Sequence, residues 1–158
     1  MRGKQAPKRQ IQADPKYHSV VIAKFINILM RRGKKTLSQK IVYDCFDVIK
    51  EKTQKNPLET FDLAIKNVSP DVEVKSRRIG GGNYQIPIAV VGSRKLRLAY
   101  IWIIGAAQAR KGMPMKEKLA LEFIDAAHKT GSAIKKREDV YRMAEANRAF
   151  AHFAHFKR

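Results

Sequence analysis

Between Pro70 and Ser93 the helical texture of this sequence breaks, and two stretches that alternate every second residue flank Gly80-Gly81-Gly82-Asn83. Val72 and Val74 alternate with Glu73 and Lys75 before the glycines, and Tyr84, Ile86, Ile88 and Val90 alternate with Gln85, Pro87 and Ala89 after them. Period two on both sides of a glycine turn predicts a β-hairpin. Pro87 cannot donate to a ladder, so a two-stranded ribbon with free edges fits better than a strand inside a sheet. At the base one face is apolar and can lie on a helical body. Near the turn Lys75, Arg77 and Arg78 put cations on both faces, so the tip is expected to project. The eight residues from Val72 to Ile79 make an arm of roughly 26 Å at about 3.3 Å per residue. An isolated ribbon is only marginally stable in water, so an arm like this calls for a partner.

Elsewhere the periodicity is helical. Ser19 is a candidate N-cap for the apolar run VVIAKFINILM, which Arg31, Arg32 and Gly33 close as last-turn cations and a C′ glycine. Thr36 to Gln39 fits a capping box for a second helix with a stripe of Leu37, Ile41, Cys45, Val48 and Lys52 with Val42, Phe46 and Ile49. Asn56, Pro57 and Glu59 start a third with Leu58, Phe61, Ile65 and Val68 on one face, and Pro70 ends it. After the ribbon, Ser93 caps a fourth helix to about Lys111, a fifth runs from Met115 to about Lys129 with Gly131 closing it, and Ser132 caps a sixth. The expected fold is mainly α: one domain of about six helices over residues 19–158, a protruding hairpin (72–91) between helices three and four, and a basic N-terminal arm (1–18) with little fold of its own.

Charge then narrows function. The 158 residues carry 33 Lys+Arg against 14 Asp+Glu, a formal net charge of +19. An enzyme acting on small neutral metabolites gains nothing from such self-repulsion, whereas a polyanionic partner turns each exposed cation into a counterion-releasing contact. The excess is uneven: residues 1–35 carry +9, residues 36–75 carry −1, residues 76–118 carry +8 and residues 119–158 carry +3. The partner should touch the first and third blocks. The longest apolar run, Leu98 to Ala107, is ten residues, well short of the roughly 20 that span a bilayer. The cations lie in an arm, loops and a hairpin tip instead of opposite one apolar helix face, which disfavours a membrane surface. No secretory signal follows the cationic start.

The candidate nucleic-acid contacts follow from those blocks: Arg2, Lys4, Lys8 and Arg9 in the arm; Arg31, Arg32, Lys34 and Lys35 after the first helix; Lys75, Arg77, Arg78 and the Tyr84 ring in the ribbon; Arg94, Lys95 and Arg97 at the start of the fourth helix; Arg110 and Lys111 at its end; and Lys135, Lys136 and Arg142. Arg94, Lys95 and Arg97 crowd a first turn whose dipole favours anions, at about 0.3–1 kcal/mol each. An external phosphate is expected to offset that. Other chemistry is thin. The glycine run lacks the Gly-Lys-Ser/Thr of a P-loop and opens a strand. His152 and His155 stand three apart without a cysteine or carboxylate beside them, so no metal is expected. The single Cys45 reads as a buried small hydrophobe. No nucleophile, base and orienter share a local signature, so neither an enzyme nor a cofactor is expected. Phe150, Phe153 and Phe156 are equally compatible with packing on the bundle and with a partner.

Six ordered strings give these residues a further meaning: DPKYHS at 14–19, KFINILMRRGKK at 24–35, PLETFDLAIKNVSP at 57–70, EVKSRRIGGGNYQIP at 73–87, AAHKTGSAIKKRED at 126–139 and MAEANRAFAH at 143–152. Over nearly its whole length the chain resembles the bacterial small-subunit ribosomal protein seven family. The resemblance implies a cytoplasmic ribosomal protein that binds small-subunit rRNA in the 3′ major domain and organises the head during assembly. It also implies that the ribbon and C-terminus lie near the exit-site tRNA and mRNA, beside neighbouring proteins of head and platform. The chain departs from that family's pattern at Ala89, where a glutamate is usual, and in a tail extended by AHFKR. The alternative from a different class is a free-standing basic DNA- or nucleoid-binding protein, and an RNA-modifying enzyme stands third.

Overall fold

The third helix begins as its sequence demands. Asn56 accepts the Leu58 N–H on Oδ1 at 3.0 Å, Pro57 occupies the first helical position, and Glu59 lies 3.4 Å from Asn56 Nδ2. In the computed structural model, which describes residues 3, 6, 7 and 9–155, the elements run α1 (Val20–Leu29), α2 (Lys35–Thr53), α3 (Pro57–Val68), β1 (Val72–Ile79), β2 (Gly82–Ala89), α4 (Ser93–Ala109), α5 (Met115–Ala127) and α6 (Ser132–Ala146), followed by a 3-10 helix (Arg148–His155). The chain is mainly helical, with the antiparallel hairpin between α3 and α4.

Two compact units divide it, Met1–Lys40 and Ile41–Arg158. In the first, Ser19 caps α1 by accepting the Ile22 N–H at 3.5 Å, and Ile22, Phe25, Ile26 and Leu29 form the buried stripe. Within the expected arm, Asp14 to His18 form a local turn. The Asp14 carboxylate accepts the Lys16 and Tyr17 N–H groups, each at 3.1 Å, and the His18 N–H reaches the Asp14 carbonyl at 2.8 Å. A short carboxylate that bonds its own downstream backbone makes a turn without a hydrophobic core.

In the second unit α3 packs on α5, α4 on α5, and α6 on α4. Phe61 of α3 holds the middle of the core, its ring 5.5 Å from Phe46 of α2 and 5.2 Å from Phe123 of α5 in edge and tilted geometries. Such pairs add about 0.5–1.5 kcal/mol beyond the area they bury. Cys45 is fully buried beside them, and burial pushes its thiol far up from the ordinary range, so it is an inert core residue.

Several local expectations shift. The Thr36 capping box does not form: α2 already begins at Lys35, Ser38 Oγ donates back to the Lys34 carbonyl at 3.2 Å, and Leu37 is exposed. The residue before α4 is Gly92, at φ 58, and Ser93 is the first helical residue. At the end of α5 the left-handed position is Lys129 (φ 60), not Gly131. The Thr130 N–H bonds the Asp125 carbonyl at 2.8 Å and the Lys129 N–H bonds the Ala126 carbonyl at 3.1 Å. That is a Schellman closure built on a lysine. Gly131, at φ 91, instead turns the chain into α6.

Candidate nucleic-acid interface

In the first unit the cations after α1 lie outside the helix. Met30 caps α1 and no basic residue occupies its last turn. Arg31 to Lys35 are all exposed, and the chain reverses through two consecutive left-handed residues, Arg32 at φ 53 and Gly33 at φ 72. The reading of Arg31 and Arg32 as last-turn cations is therefore corrected: four cations are displayed on a tight turn. Arg9 is exposed as well, while Arg2, Lys4 and Lys8 lie outside the described residues.

The ribbon turns more tightly than four residues. Gly82 pairs with Ile79 and Asn83 with Arg78, leaving Gly80 (φ 55) and Gly81 (φ 90) as a two-residue turn. Both central residues need φ > 0, which glycine adopts without a Cβ penalty and which matches strand twist. Residues directly opposed in an antiparallel pair share a face. One face thus carries Glu73, Lys75 and Arg77 with Ile88, Ile86 and Tyr84, and the other carries Ser76 and Arg78 with Gln85 and Asn83. The first face is covered. The 3-10 helix packs on β2, with Phe150 5.2 Å and Phe153 6.2 Å from the Tyr84 ring, and Arg77 donates to the Phe153 carbonyl at 3.4 Å. The tip therefore does not project bare, and the Tyr84 ring has a protein partner. Of the tail residues left open by the sequence, Phe150 and Phe153 pack inward. His152 lies with Nδ1 2.9 Å from the Ala149 carbonyl and its ring 3.9 Å from Phe153. Phe156 and the His155 side chain are outside the described residues.

At the start of α4 the chain supplies its own anions. Glu73, expected on the polar side of β1, is buried and accepts Arg94 Nε at 3.1 Å and Nη2 at 2.9 Å, with Lys75 Nζ at 2.7 Å. Asp71 accepts Lys95 at 2.5 Å and the Tyr141 hydroxyl at 3.0 Å. The expectation that only an external anion offsets this turn is corrected for Arg94 and Lys95; Arg97 is exposed and among the described residues has no ion pair. Burial pushes the Glu73 carboxyl up, but hydrogen bonds from Lys75 and Arg94 outweigh it and hold the group below its ordinary value. Lys95, with Tyr141, likewise lowers Asp71. A depressed folded value means the stabilisation is complete above the unfolded value and is lost as pH falls through the folded one. The ribbon base is accordingly expected to loosen only below the ordinary glutamate value of 4.5. A carboxyl-carbon NMR titration checks this: the Glu73 midpoint should lie under that value and rise in Arg94→Gln, and an unchanged midpoint in the variant would remove the ion pair from the account.

Arg110 turns inward. It caps α4 and donates to Glu122 at 3.0 and 2.6 Å and to Asp125 at 2.5 Å. Glu122 is completely buried, and its other oxygen accepts the Ala133 N–H at the start of α6 at 2.8 Å. Arg110 is thus an internal clamp, because a carboxylate buried with no other cation would be costly. Lys111, Lys135, Lys136 and Arg142 are exposed, Arg142 with a loose partner in Asp139 at 3.5 Å. Sequence reading missed Asp71, Glu73, Glu122 and Tyr141. The sequence around them gives no distinct signal: Asp71 and Glu73 stand two apart, Glu122 lies between Glu117 and Asp125, and Tyr141 follows Glu138 and Asp139. Among the described residues no group of His, Cys, Asp or Glu could hold a metal, and no helix is long and apolar enough to cross a membrane.

Comparison with known proteins gives this arrangement a context. A family profile described as ribosomal protein S7p/S5e matches residues 1–148. The small ribosomal subunit protein uS7 of Thermotoga maritima is 58% identical over 153 residues, covering 97% of this chain and 99% of its own. Its counterpart in Pelotomaculum thermopropionicum is 55% identical over 147 residues, covering 93% and 94%. That of Mycoplasmopsis agalactiae is 55% identical over 148 residues, covering 94% and 95%.

Proposed function

Since the chain belongs to the ribosomal protein S7p/S5e family, we propose that it is a structural constituent of the small ribosomal subunit whose exposed cations bind the 3′ major domain of small-subunit rRNA and organise the head during assembly. The observation that carries this reading is the sorting of cations by ion pairing. Arg32, Lys34, Lys35, Arg78 and Arg97 are exposed and among the described residues have no ion pair, while Arg94, Lys95 and Arg110 are held by carboxylates. Exposed cations give counterion release on a phosphate backbone, and paired ones fix the scaffold that presents them. Residues 1–18 act as an RNA-facing arm and 19–158 as the rRNA-binding domain. The ribbon and C-terminus work near the exit-site tRNA and mRNA, among neighbouring proteins of head and platform, in the cytoplasm. The relatives' names denote a subunit component and no reaction, which supports a role without catalysis.

Two measurements test the reading. The chain should co-sediment with small subunits after a high-salt wash, and it should bind a 3′ major domain transcript at least about a thousandfold more tightly than duplex DNA of equal length, the lower end of the range by which specific sites exceed non-specific ones. Equal affinity for the duplex would favour the nucleoid reading.

A further inference from the structure

We propose that the open face of the ribbon, made of Ser76, Arg78, Asn83 and Gln85, is a hydrogen-bonding platform that reads the base edges of single-stranded RNA. The proposal rests on the rRNA-binding reading above and adds to it a side, a chemistry and a mode of contact. Register gives the side. Ser76 opposes Gln85 and Arg78 opposes Asn83, so the four side chains stand together on one face, and all four residues are exposed. The opposite face is occupied by the 3-10 helix, and among the described residues none of the four side chains has a hydrogen-bond or ion-pair partner. With strands about 4.8 Å apart and alternate residues about 6.7 Å apart, the plate is the size of one or two bases.

Chemistry gives the mode. A phosphate site is built from cations, but here one side chain of four is charged. Two carboxamides, each a donor and an acceptor, and one hydroxyl match the edges of bases, where Asn and Gln pair with adenine and Arg with guanine. Stacking is not available on this face, because the ribbon's aromatic ring, Tyr84, stands on the other one against Phe150. Single strands present their Watson–Crick and Hoogsteen edges to such a plate, whereas an A-form duplex hides the deep-groove edges and is met in its shallow groove mostly through shape, 2′-hydroxyls and phosphates. Arg78 within the plate, exposed and without an ion pair among the described residues, and the +8 carried by residues 76–118 favour a polyanion over a neutral peptide as occupant.

The test uses the full chain and fluorescein-labelled homopolymers of adenosine, cytidine and uridine. Anisotropy titrations should show the best homopolymer bound about tenfold more tightly than the worst, the scale set by one good bidentate contact. Asn83→Ala with Gln85→Ala should bring that ratio to within about twofold and leave the slope of log affinity against log salt unchanged. Gln85→Ala alone replaces the double variant if the latter loses its thermal transition, and it should reduce the ratio partway. Equal affinities in the unaltered chain or an undiminished ratio in the variants would each overturn the platform. Binding of the 3′ major domain transcript, measured alongside, separates the two readings: tight transcript binding with a failed platform removes this inference alone, and no transcript binding removes both.

Discussion

Replacing Glu122 with alanine is expected to cost about 3–5 kcal/mol of folding stability, the range for removing one partner of a buried ion pair. The residue is completely buried and joins three elements: it receives Arg110 from the end of α4, sits on α5, and accepts the first free N–H of α6 at Ala133. Alanine would leave that N–H without a partner, at about 1–3 kcal/mol, and would leave the guanidinium with Asp125 alone. Because Arg110 keeps Asp125 and is 27% exposed in its side chain, the loss should fall toward the lower end. Glu122→Gln retains an acceptor for Ala133 and removes the charge, so it should cost about half as much. Urea unfolding with an unchanged m value measures both. A loss under about 1 kcal/mol for the alanine variant would mean that water replaces the clamp.

The parts of this fold that could be read in advance are those whose cause lies within a few residues. Ser19, Asn56 and Pro57 act on the N–H groups two or three positions on, and the alternation about Gly80 and Gly81 acts through its own turn. The ribbon, the count of α-helices and their order were legible for that reason. What could not be read depends on pairs far apart in the chain: Glu73 with Arg94, Glu122 with Arg110, Asp71 with Tyr141, and Tyr84 with Phe150. Period two places Glu73 on the polar side of β1, and its burial follows from the packing of α6 and the 3-10 helix on the ribbon, with Arg94 reaching it from α4. The same limit explains the sorting of cations. Composition marks Arg94, Arg97 and Arg110 alike, and their different roles follow from which carboxylates the fold brings to them. Lys129 is a local miss of another kind, since Gly131 two residues later is the better left-handed residue yet the hydrogen bonds close one turn earlier.

That sorting leads to the largest expected effect on binding. Changing Arg31, Arg32, Lys34 and Lys35 together to alanine should lower the slope of log affinity against log salt by about 3 for the 3′ major domain transcript, four contacts each releasing about 0.7–0.9 of a counterion. All four are exposed, Arg31, Arg32 and Lys34 on one reversing turn and Lys35 at the first position of α2, so a phosphate backbone can reach them. Affinity should fall by roughly a hundredfold at moderate salt, and the melting temperature should stay near that of the unaltered chain because surface cations of this kind contribute little to folding. Lys95→Ala with Arg94→Ala is the informative contrast. To meet a phosphate, each of these cations must first leave Asp71 or Glu73, so the gain from counterion release is offset by a broken ion pair. The slope should change by less than about 1, while the ribbon base becomes looser and Glu73 is left buried without its arginine. Comparable slope losses in the two variants would show that the internal pairs open on RNA.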